Sequence, residues 1–338
     1  MKIRPKMKIL VTGGAGFIGS NFIRYILKKY QDYEVTNLDK LTYCGNTDNL
    51  RDVQDNPKYT FIKGDIKDAD VANKAMEGCD VVVNFAAESH VDRSIKNPNH
   101  FVKTNVHGVL TLLRVAKTMN ISRFIQIGTD EVYGSIEKGS FTEESILNPR
   151  SPYSASKAGA DLLALSFYTT YKLPVIVIRS SNNFGPYQYP EKLVPLFITN
   201  ALENKKLPLY ADGTNMRDWL FVLDNCEAID IVLHKGKIGE IYNVSKGDEI
   251  TNIELTRKIL RYVGKGEDLI QFVKDRPGHD KRYSLDCAKI KALGWQPRHD
   301  FESALKETIE WYRENKEWWE PLKRSAEYIR AGKRTISS

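Results

Sequence analysis

The stretch VTGGAGFIG at residues 11–19 decides the fold of this chain. It lies where the apolar run KILVT, residues 8–12, gives way to a helix-like segment at residues 17–29. Gly13, Gly16 and Gly19 follow a G-x-x-G-x-x-G spacing, and residues without a Cβ let a diphosphate approach the N–H groups at a helix start. The stretch therefore predicts a strand, a tight turn and a helix that together bind a dinucleotide.

Short apolar runs alternate with helix-like stretches through the first half of the chain. Strands that alternate with helices indicate βαβ units, and hence a parallel sheet covered on both faces. We therefore expect an α/β fold with a doubly wound, Rossmann-type parallel sheet. The predicted strands are residues 8–12, 34–38, 59–62, 80–85, 123–127 and 174–179, and the predicted helices are residues 17–29, 68–77, 99–118 and 153–171.

The pattern changes after Ser180, where prolines at positions 186, 190, 195 and 208 interrupt the chain. We expect more loop than regular structure there, with helices at residues 193–203, 252–263 and 302–315. The prediction is a dinucleotide-binding domain formed mainly by residues 7–180. A smaller C-terminal α/β substrate-binding region is expected mainly within residues 181–320, with an interleaved boundary, and residues 321–338 are expected to form a frayed tail.

Composition narrows the class of protein. The chain is 41% hydrophobic and 28% charged, which is typical of a globular protein with a sizeable core. Its net charge of +7 comes from scattered lysines and arginines, so we expect no nucleic-acid partner. No apolar run has the length of a membrane span, so we expect no membrane partner. The four cysteines form no C-x-x-C pair, which predicts a cytoplasmic protein without a metal site.

Acidic residues follow the second and third predicted strands. Asp39 comes about 20 residues after the glycines, the distance typical of a carboxylate that binds the ribose hydroxyls of adenosine. Because a carboxylate there would repel a 2′-phosphate, we predict NAD rather than NADP. Asp65 is positioned either to contact adenine or to cap a helix.

Tyr153 and Lys157 form a Y-x-x-x-K pair whose members share one face of a predicted helix. An ammonium group beside a phenol favours the phenolate and lowers its pKa, which makes the phenol a usable base near neutral pH. The same spacing occurs by chance on solvated helix faces. Its coincidence with the glycine loop in one chain favours a catalytic pair.

The glycine loop, Asp39 and the Tyr/Lys pair resemble the extended short-chain dehydrogenase/reductase family, whose members mostly act on nucleotide sugars. Residues 7 to about 311 are similar to its dTDP-glucose 4,6-dehydratase group. The resemblance implies a lyase that uses bound NAD to convert dTDP-glucose to dTDP-4-keto-6-deoxyglucose for deoxysugar synthesis, and a homodimer. The motifs that carry it are TDEVYG (129–134), AAESHVDRS (86–94), RSSNNFGP (179–186), RDWL (217–220) and DRPGHDKRY (275–283).

Asp130 and Glu131 suit such a reaction chemically. Once C4 of a hexose is oxidised, loss of water across C5 and C6 needs a base for the C5 proton and an acid for the departing oxygen. We expect Tyr153 to take the C4 hydroxyl proton, Glu131 the C5 proton, and Asp130 to protonate the leaving group. Adjacent carboxylates in an extended segment point in different directions, and two close anions raise the pKa of one of them.

The resemblance implies the remaining site residues. Arginines among them suit phosphate because the guanidinium fork meets two oxygens at once. Glu88, His90 and Asp92 invite a metal interpretation, but H-x-D without a third ligand predicts none. Cofactor contacts are implied for Gly13, Gly16, Phe17, Ile18, Gly19, Asp39, Lys40, Leu41, Thr42, Asp65, Ile66, Ala86, Ala87, Ser89, Thr104, Tyr153, Lys157 and Asn183. Nucleotide-sugar contacts are implied for Ser89, Thr129, Asn182, Lys192, Leu193, Pro208, Leu209, Tyr210, Arg217, Asn252, Arg276 and His279.

Other functions stay open on the sequence alone. A UDP-sugar 4-epimerase, a decarboxylase or a GDP- or UDP-sugar dehydratase shares most of these motifs. Asp130 is the residue that argues against the epimerase, the decarboxylase and a GDP-mannose dehydratase. A non-catalytic dinucleotide sensor is the remote alternative, although such proteins tend to lose the tyrosine or the lysine. The base is open as well, since one ring methyl contributes only ~1–3 kcal/mol to discrimination.

Overall fold

A computed structural model of the protein describes residues 6–330, with side chains described as far as residue 325. None of the helices in that range is long and apolar enough to cross a membrane. The strands are β1 (Met7–Thr12), β2 (Tyr33–Asp39), β3 (Tyr59–Lys63), β4 (Val81–Asn84), β5 (Arg123–Ile127), β6 (Val175–Ser180), β7 (Asn182–Phe184), β8 (Leu207–Tyr210), β9 (Met216–Phe221), β10 (Ile241–Val244), β11 (Glu249–Thr251) and β12 (Ile270–Val273). The helices are α1 (Phe17–Lys29), α2 (Ala69–Met76), α3 (Val91–Lys96), α4 (Pro98–Phe101), α5 (Val109–Thr118), α6 (Pro152–Tyr171), α7 (Leu193–Leu202), α8 (Val222–Lys235), α9 (Asn252–Val263), α10 (Ala288–Ala292), α11 (Phe301–Glu314) and α12 (Lys316–Arg330).

The central element is a seven-stranded sheet in the order β3-β2-β1-β4-β5-β6-β10. Every adjacent pair in it is parallel, so the predicted doubly wound α/β fold is confirmed. The strand order reverses between β1 and β4, and ligands of open α/β sheets bind beyond the carboxyl ends of strands at such a reversal. The fold therefore predicts a site beyond β1 and β4.

Both faces of this sheet are buried, which explains why its strands are nearly continuous apolar runs. Along β1, Ile9 and Val11 face the layer that contains Phe22 of α1. Leu10 faces the opposite layer together with Leu112 of α5. A third apolar cluster lies in the C-terminal region, where α7, α9 and α11 pack together.

The predicted elements of the first half are confirmed within a few residues at each end. The predicted helix at residues 99–118 is α4 and α5 joined by a π-helical turn, Val102–Gly108. The expectation of mostly loop after Ser180 is wrong, because short strands there form the sheets β11-β9-β7 and β12-β8. Strands of three to six residues are too short to show a clear periodicity.

The C-terminal segment is helical where a frayed tail was expected. Helix α12 runs through Pro321 to Arg330, so the expectation is wrong as far as that residue, and residues 331–338 lie outside the described part of the chain. Trp319 and Lys323 are almost completely buried, and Lys323 forms an ion pair with Glu203. Tertiary packing of these side chains stabilises a helix that its polar composition does not predict.

Candidate active site

The glycine loop has the conformation that its sequence predicts. It connects β1 to α1, and Gly16 is the N-cap of that helix. Gly13 has φ +71°, and a Cβ added there would lie 2.6 Å from the backbone nitrogen of Ala86. A Cβ on Gly19 would lie 2.5 Å from the carbonyl oxygen of Gly13. The absence of side chains thus lets the loop pack tightly against Ala86 and against itself at the start of α1, and a helix N-terminus favours an anionic ligand.

Asp39 ends β2 beside this loop and is 8% exposed. Its carboxylate accepts hydrogen bonds from the backbone N–H groups of Ala15, at 3.0 Å, and of Leu41, at 2.8 Å. Burial raises the pKa of Asp39, and the two N–H donors oppose that rise. Asp39 therefore connects the end of β2 to the glycine loop, at the position where a ribose-binding carboxylate is expected.

Asp65 forms an ion pair with Lys40 at 2.8 Å, and a longer one with Lys67 at 3.3 Å. The alternative that Asp65 caps a helix is wrong. The N-cap of α2 is Asp68, whose carboxylate accepts hydrogen bonds from the N–H groups of residues 70 and 71. Asp65 thus remains at the adenine end of the expected cofactor site.

A cavity of about 1040 Å³ lies at the carboxyl ends of β1, β4 and β5. All of the predicted cofactor-binding residues line it, and so do the predicted catalytic residues Thr129, Asp130, Glu131, Tyr153 and Lys157. The glycine loop and the proposed chemistry therefore share one cavity, as the position of the strand-order reversal predicts.

The two adjacent carboxylates follow β5 in a short 3₁₀ helix, Asp130–Tyr133, rather than in the extended segment that we expected. Thr129 is its N-cap, and its hydroxyl accepts from the N–H of Glu131 and donates to Oδ1 of Asp130 at 3.1 Å. Oδ2 of Asp130 is buried and has no hydrogen-bond partner among residues 6–325. The turn therefore buries one carboxylate more completely than an extended segment would.

The pKa values of the two carboxyl groups are affected by different neighbours. Burial and then the charge of Glu131 raise the pKa of Asp130 to about 8. Burial also raises the pKa of Glu131, but the positive charges of Arg276, Lys192 and Arg217 oppose that rise. At neutral pH this arrangement favours a protonated Asp130, beside a Glu131 whose three cationic neighbours oppose the rise of its pKa.

Tyr153 and Lys157 lie in the first two turns of α6, which begins with a capping box formed by Ser151 and Ser154. Lys157 donates a 2.5 Å hydrogen bond from Nζ to the carbonyl oxygen of Ile127. Burial, and then the charge of Glu131, raise the pKa of Tyr153 well above its usual value. The expectation of a lowered pKa is therefore wrong, because burial and the nearby carboxylate, which sequence spacing does not reveal, outweigh any effect of Lys157.

The predicted nucleotide-sugar residues fall into two groups. Ser89, Thr129, Asn182 and Lys192 line the cavity, and Lys192 donates a 2.7 Å hydrogen bond to the carbonyl oxygen of Ser89. The second group is not among the residues that line it, so its role in holding a nucleotide stays a prediction. It consists of Leu193, Pro208, Leu209, Tyr210, Arg217, Asn252, Arg276 and His279.

The second group nevertheless converges on one region. The guanidinium group of Arg217 donates to the backbone carbonyls of residues 216, 280 and 281, which fixes its orientation. Tyr210 donates a 3.2 Å hydrogen bond to Asp92, and Arg276 lies 3.7 Å from the same carboxylate. The ring of His279 packs edge-on against Tyr210. Since Arg217 and Arg276 both act on the pKa of Glu131, this cationic group borders the catalytic carboxylates.

Sequence reasoning missed several residues that line the cavity or support its wall from behind. Arg93 donates a 2.7 Å hydrogen bond to the buried carboxylate of Glu191, and its guanidinium carbon lies 3.6 Å from the ring centre of Tyr43. Asn105, in the π-helical turn, accepts from the N–H of Glu88 and donates to the hydroxyl of Ser156. Arg93 and Glu191 are 98 positions apart, so no local pattern could have predicted their contact.

Comparisons with known proteins agree with this geometry. A family model described as GDP-mannose 4,6 dehydratase matches residues 10–308. The low-salt glycan biosynthesis protein Agl12 of Haloferax volcanii is 54% identical over 306 residues, which cover 90% of this chain and 98% of that protein. A dTDP-glucose 4,6-dehydratase of Streptomyces niveus is 52% identical over 322 residues, which cover 94% of this chain and 96% of that protein.

The structural comparison gives the same result. The crystal structure of DesIV, a dTDP-glucose 4,6-dehydratase from Streptomyces venezuelae solved with NAD bound, has a TM-score of 0.92 and 51% identity. The match covers 94% of this chain and all of that one. The resemblance inferred from the sequence motifs is thus confirmed. The chain belongs to the GDP-mannose 4,6-dehydratase family of extended short-chain dehydrogenases/reductases, and the dTDP-glucose 4,6-dehydratases are among its similar relatives.

Proposed function

We propose that this protein is an NAD-dependent lyase that converts dTDP-glucose to dTDP-4-keto-6-deoxyglucose, for deoxysugar synthesis. The observation that carries the proposal is the pair Asp130 and Glu131, buried side by side in the cavity that also contains Tyr153. An epimerase or a simple dehydrogenase has no step that uses a protonated carboxylic acid next to a carboxylate. Elimination of water uses both.

The residues present fit NAD. The glycine loop, in which a Cβ at Gly13 or Gly19 would clash with backbone, lines the cavity at the start of α1, where a helix N-terminus favours a diphosphate. Asp39 and Asp65 line the cavity beyond the loop, at the end expected for the adenosine. When bound, NAD⁺ supplies a hydride acceptor for C4 of the hexose and, once reduced, a hydride donor for C6.

Tyr153 starts the reaction in this proposal. It takes the proton of the C4 hydroxyl while the hydride leaves C4, which makes C4 a ketone and the C5 proton acidic. Since burial and Glu131 raise the pKa of the phenol, the step needs positive charge close to it. Lys157, one helical turn along α6, is the cation that the chain itself provides. Thr129, at the entry to the 3₁₀ helix, is proposed to hold the O4 oxygen.

Glu131 and Asp130 divide the elimination between them. Glu131, whose ionised form is favoured by Arg276, Lys192 and Arg217, removes the C5 proton. Asp130, whose pKa of about 8 keeps it protonated at neutral pH, gives its proton to the C6 oxygen as it departs as water. The hydride then returns to C6 while Glu131 gives its proton back to C5, which leaves the 4-keto-6-deoxy sugar and one water. The proton that Tyr153 took from O4 makes up for the one that Asp130 gave to the water.

The decisive experiment compares dTDP-, UDP-, GDP- and CDP-glucose as substrates. We expect dTDP-glucose to yield a product lighter by one water, with no net consumption of NAD⁺, as measured by mass spectrometry and absorbance. Interconversion of UDP-glucose and UDP-galactose would instead support an epimerase. Binding of NAD without turnover of any of the four sugars would support a dinucleotide sensor.

We also propose that the enzyme is a cytoplasmic homodimer. Val102, at the start of the π-helical turn, and Leu162, on α6, are 51% and 56% exposed, so apolar side chains are available on both helical segments. Burying such side chains against a second copy would stabilise the assembly. Leu162→Glu is expected to shift the protein from dimer to monomer in analytical ultracentrifugation.

The cysteines support the cytoplasmic location. All four are free, as expected in a reducing compartment.

A further inference from the structure

The C-terminal helix α12 is connected to the glycine loop through the buried side chain of Asn49. Nε1 of Trp318 donates a 2.9 Å hydrogen bond to Oδ1 of Asn49, which is 2% exposed and lies in the 3₁₀ helix Thr47–Leu50 after β2. Nδ2 of Asn49 in turn donates a 2.8 Å hydrogen bond to the carbonyl oxygen of Ala15. Two consecutive side-chain hydrogen bonds thus connect residue 318 to the glycine loop.

Both the N–H and the carbonyl oxygen of Ala15 form hydrogen bonds with other parts of the chain. Its N–H donates to the carboxylate of Asp39, and its carbonyl oxygen accepts a second hydrogen bond, from the N–H of Asn46 at 3.0 Å. The residue is fully buried between Gly13 and Gly16. Its position therefore sets the path of the backbone whose N–H groups face the expected diphosphate.

Trp318 and the carbonyl of Ala15 together determine which way the amide of Asn49 points. An indole N–H is only a donor, so the amide oxygen must face Trp318 and the amide nitrogen must face Ala15. Without that donor, the amide loses one of the two contacts that favour this orientation and keeps only the one with Ala15. A flipped amide would direct its oxygen at the carbonyl of Ala15, and two acceptors repel each other.

A neighbouring aromatic cluster holds Trp318 in place. The ring of Tyr187 packs edge-on against Trp318, with ring centres 5.8 Å apart. The guanidinium group of Arg24 lies 4.5 Å from the ring centre of Tyr187 and also donates to the backbone carbonyl of Asn49. The relay, that is, the hydrogen bonds from Trp318 to Asn49 and from Asn49 to Ala15, therefore lies in a packed region where a lost hydrogen bond is not readily replaced by water.

We infer that Trp318 is a positioning residue for the dinucleotide site, which slows release of NAD by holding Ala15 through Asn49. The inference rests on the proposed function and deepens it. A reaction that stores a hydride on the cofactor and returns it to the same sugar fails when the reduced cofactor leaves between the two steps. A contact that stabilises the glycine loop therefore reduces the loss of reduced cofactor between the two hydride transfers.

The test compares Trp318→Phe with Trp319→Phe. Both variants lose one indole N–H hydrogen bond on the same helix, but Nε1 of Trp319 donates to the carbonyl of Tyr312 and does not reach the cofactor loop. Each purified holoenzyme is diluted, and the NAD that it releases is trapped by an NAD-consuming enzyme to give a release rate. A single intramolecular hydrogen bond predicts release about two- to tenfold faster for Trp318→Phe. Trp319→Phe is expected to release NAD at the wild-type rate, even if its thermal stability falls.

Asn49→Ala extends the test to the other end of the relay. It is expected to speed NAD release at least as much as Trp318→Phe. The double variant should add little more, because both substitutions interrupt the same path of hydrogen bonds from Trp318 through Asn49 to Ala15. Equal acceleration in Trp318→Phe and Trp319→Phe, a wild-type rate in Trp318→Phe, or additive effects in the double variant would each overturn the inference. A wild-type protein that binds no NAD would overturn the proposed function instead.

Discussion

The carboxylate of Asp161 accepts a 2.9 Å hydrogen bond from Nε of Arg179, and both side chains are almost completely buried. Asp161 lies one helical turn beyond Lys157 on α6 and directly beneath the segment that leads to the catalytic carboxylates. A Cβ added at Gly128 would lie 2.9 Å from its Oδ2. Burial lowers the pKa of Lys157, and the charge of Asp161 is what opposes that decrease. Asp161, held in place by Arg179, therefore helps to keep the catalytic ammonium charged in a buried site.

In Asp161→Asn, the rate of C4 oxidation is expected to fall, as the pH rises, at a lower pH than in the wild-type protein. Without the opposing charge, burial lowers the pKa of Lys157 further, so the ammonium is lost earlier as the pH rises. Glu131 and Asp130, which raise the pKa of Tyr153, stay in place, whereas loss of the Asp161 charge lowers the pKa of Tyr153 as well, so both pKa changes move the profile to lower pH. The measurement is the pH profile of NADH formation in a single turnover.

Two controls separate this effect from a structural one. Asp161→Glu keeps the charge and is expected to restore most of the profile. Asn leaves the buried guanidinium of Arg179 without its carboxylate, which costs ~3–5 kcal/mol of stability, so thermal unfolding is followed in parallel. A uniform loss of rate with an unchanged pH profile would mean that Asp161 only supports the fold.

Asp130→Asn is expected to uncouple the two half-reactions. The amide cannot protonate the leaving oxygen, so elimination should slow by ~10²–10⁴-fold while C4 oxidation continues. NADH should then accumulate on the enzyme and be visible by absorbance. Tyr153→Phe provides the contrast, because it blocks oxidation and should give no NADH. Equal losses of oxidation and elimination in Asp130→Asn would contradict the acid role.

The pKa of Asp130 also predicts the pH dependence of the elimination step. The protonated form is the acid, and its pKa lies at about 8, so the rate should be constant below that pH and fall above it. Single-turnover elimination followed from pH 6 to 9.5 (about 2 units below and 1.5 above) measures this, and the falling limb should be absent in Asp130→Asn. A wild-type rate that stays constant through this range would show that another group is the acid.

Short sequence motifs made most of the fold and of the candidate site predictable. The glycine loop, Asp39 and the Tyr153/Lys157 spacing each lie within one strand–helix unit, so neighbouring residues determine their geometry. The position of the site follows from the alternation of strands and helices, since that pattern fixes which strand ends meet. Asp130 and Glu131 were predicted by chemistry as well as by resemblance.

Contacts between distant parts of the chain were not predictable. Trp318 and Asn49 are 269 positions apart, and each has an ordinary sequence context. The upward shift in the pKa of Tyr153 depends on burial and on Glu131, whereas the sequence shows only a lysine four residues away. Helix α12 was missed because its stability comes from packing of Trp319 and Lys323 rather than from an apolar pattern.

Gly13→Ala is expected to impair both stability and cofactor binding, because two separate costs add at this position. A side chain at φ +71° is strained, and its Cβ would lie 2.6 Å from the backbone of Ala86, which cannot move without displacing β4. Gly139→Ala is the matched control. Its φ is +76°, but nothing lies within 4 Å of the added Cβ, so only the strain of ~1–2 kcal/mol remains.

Thermal unfolding and NAD titration of the two variants separate these costs. Gly139→Ala should lose only the strain energy and bind NAD with wild-type affinity. Gly13→Ala should lose more stability than the control and bind NAD at least tenfold more weakly (~1.4 kcal/mol or more), because the loop must shift away from the diphosphate position. If the two variants lost equal stability and both bound NAD normally, the close approach of Gly13 to Ala86 would not be what shapes the cofactor site.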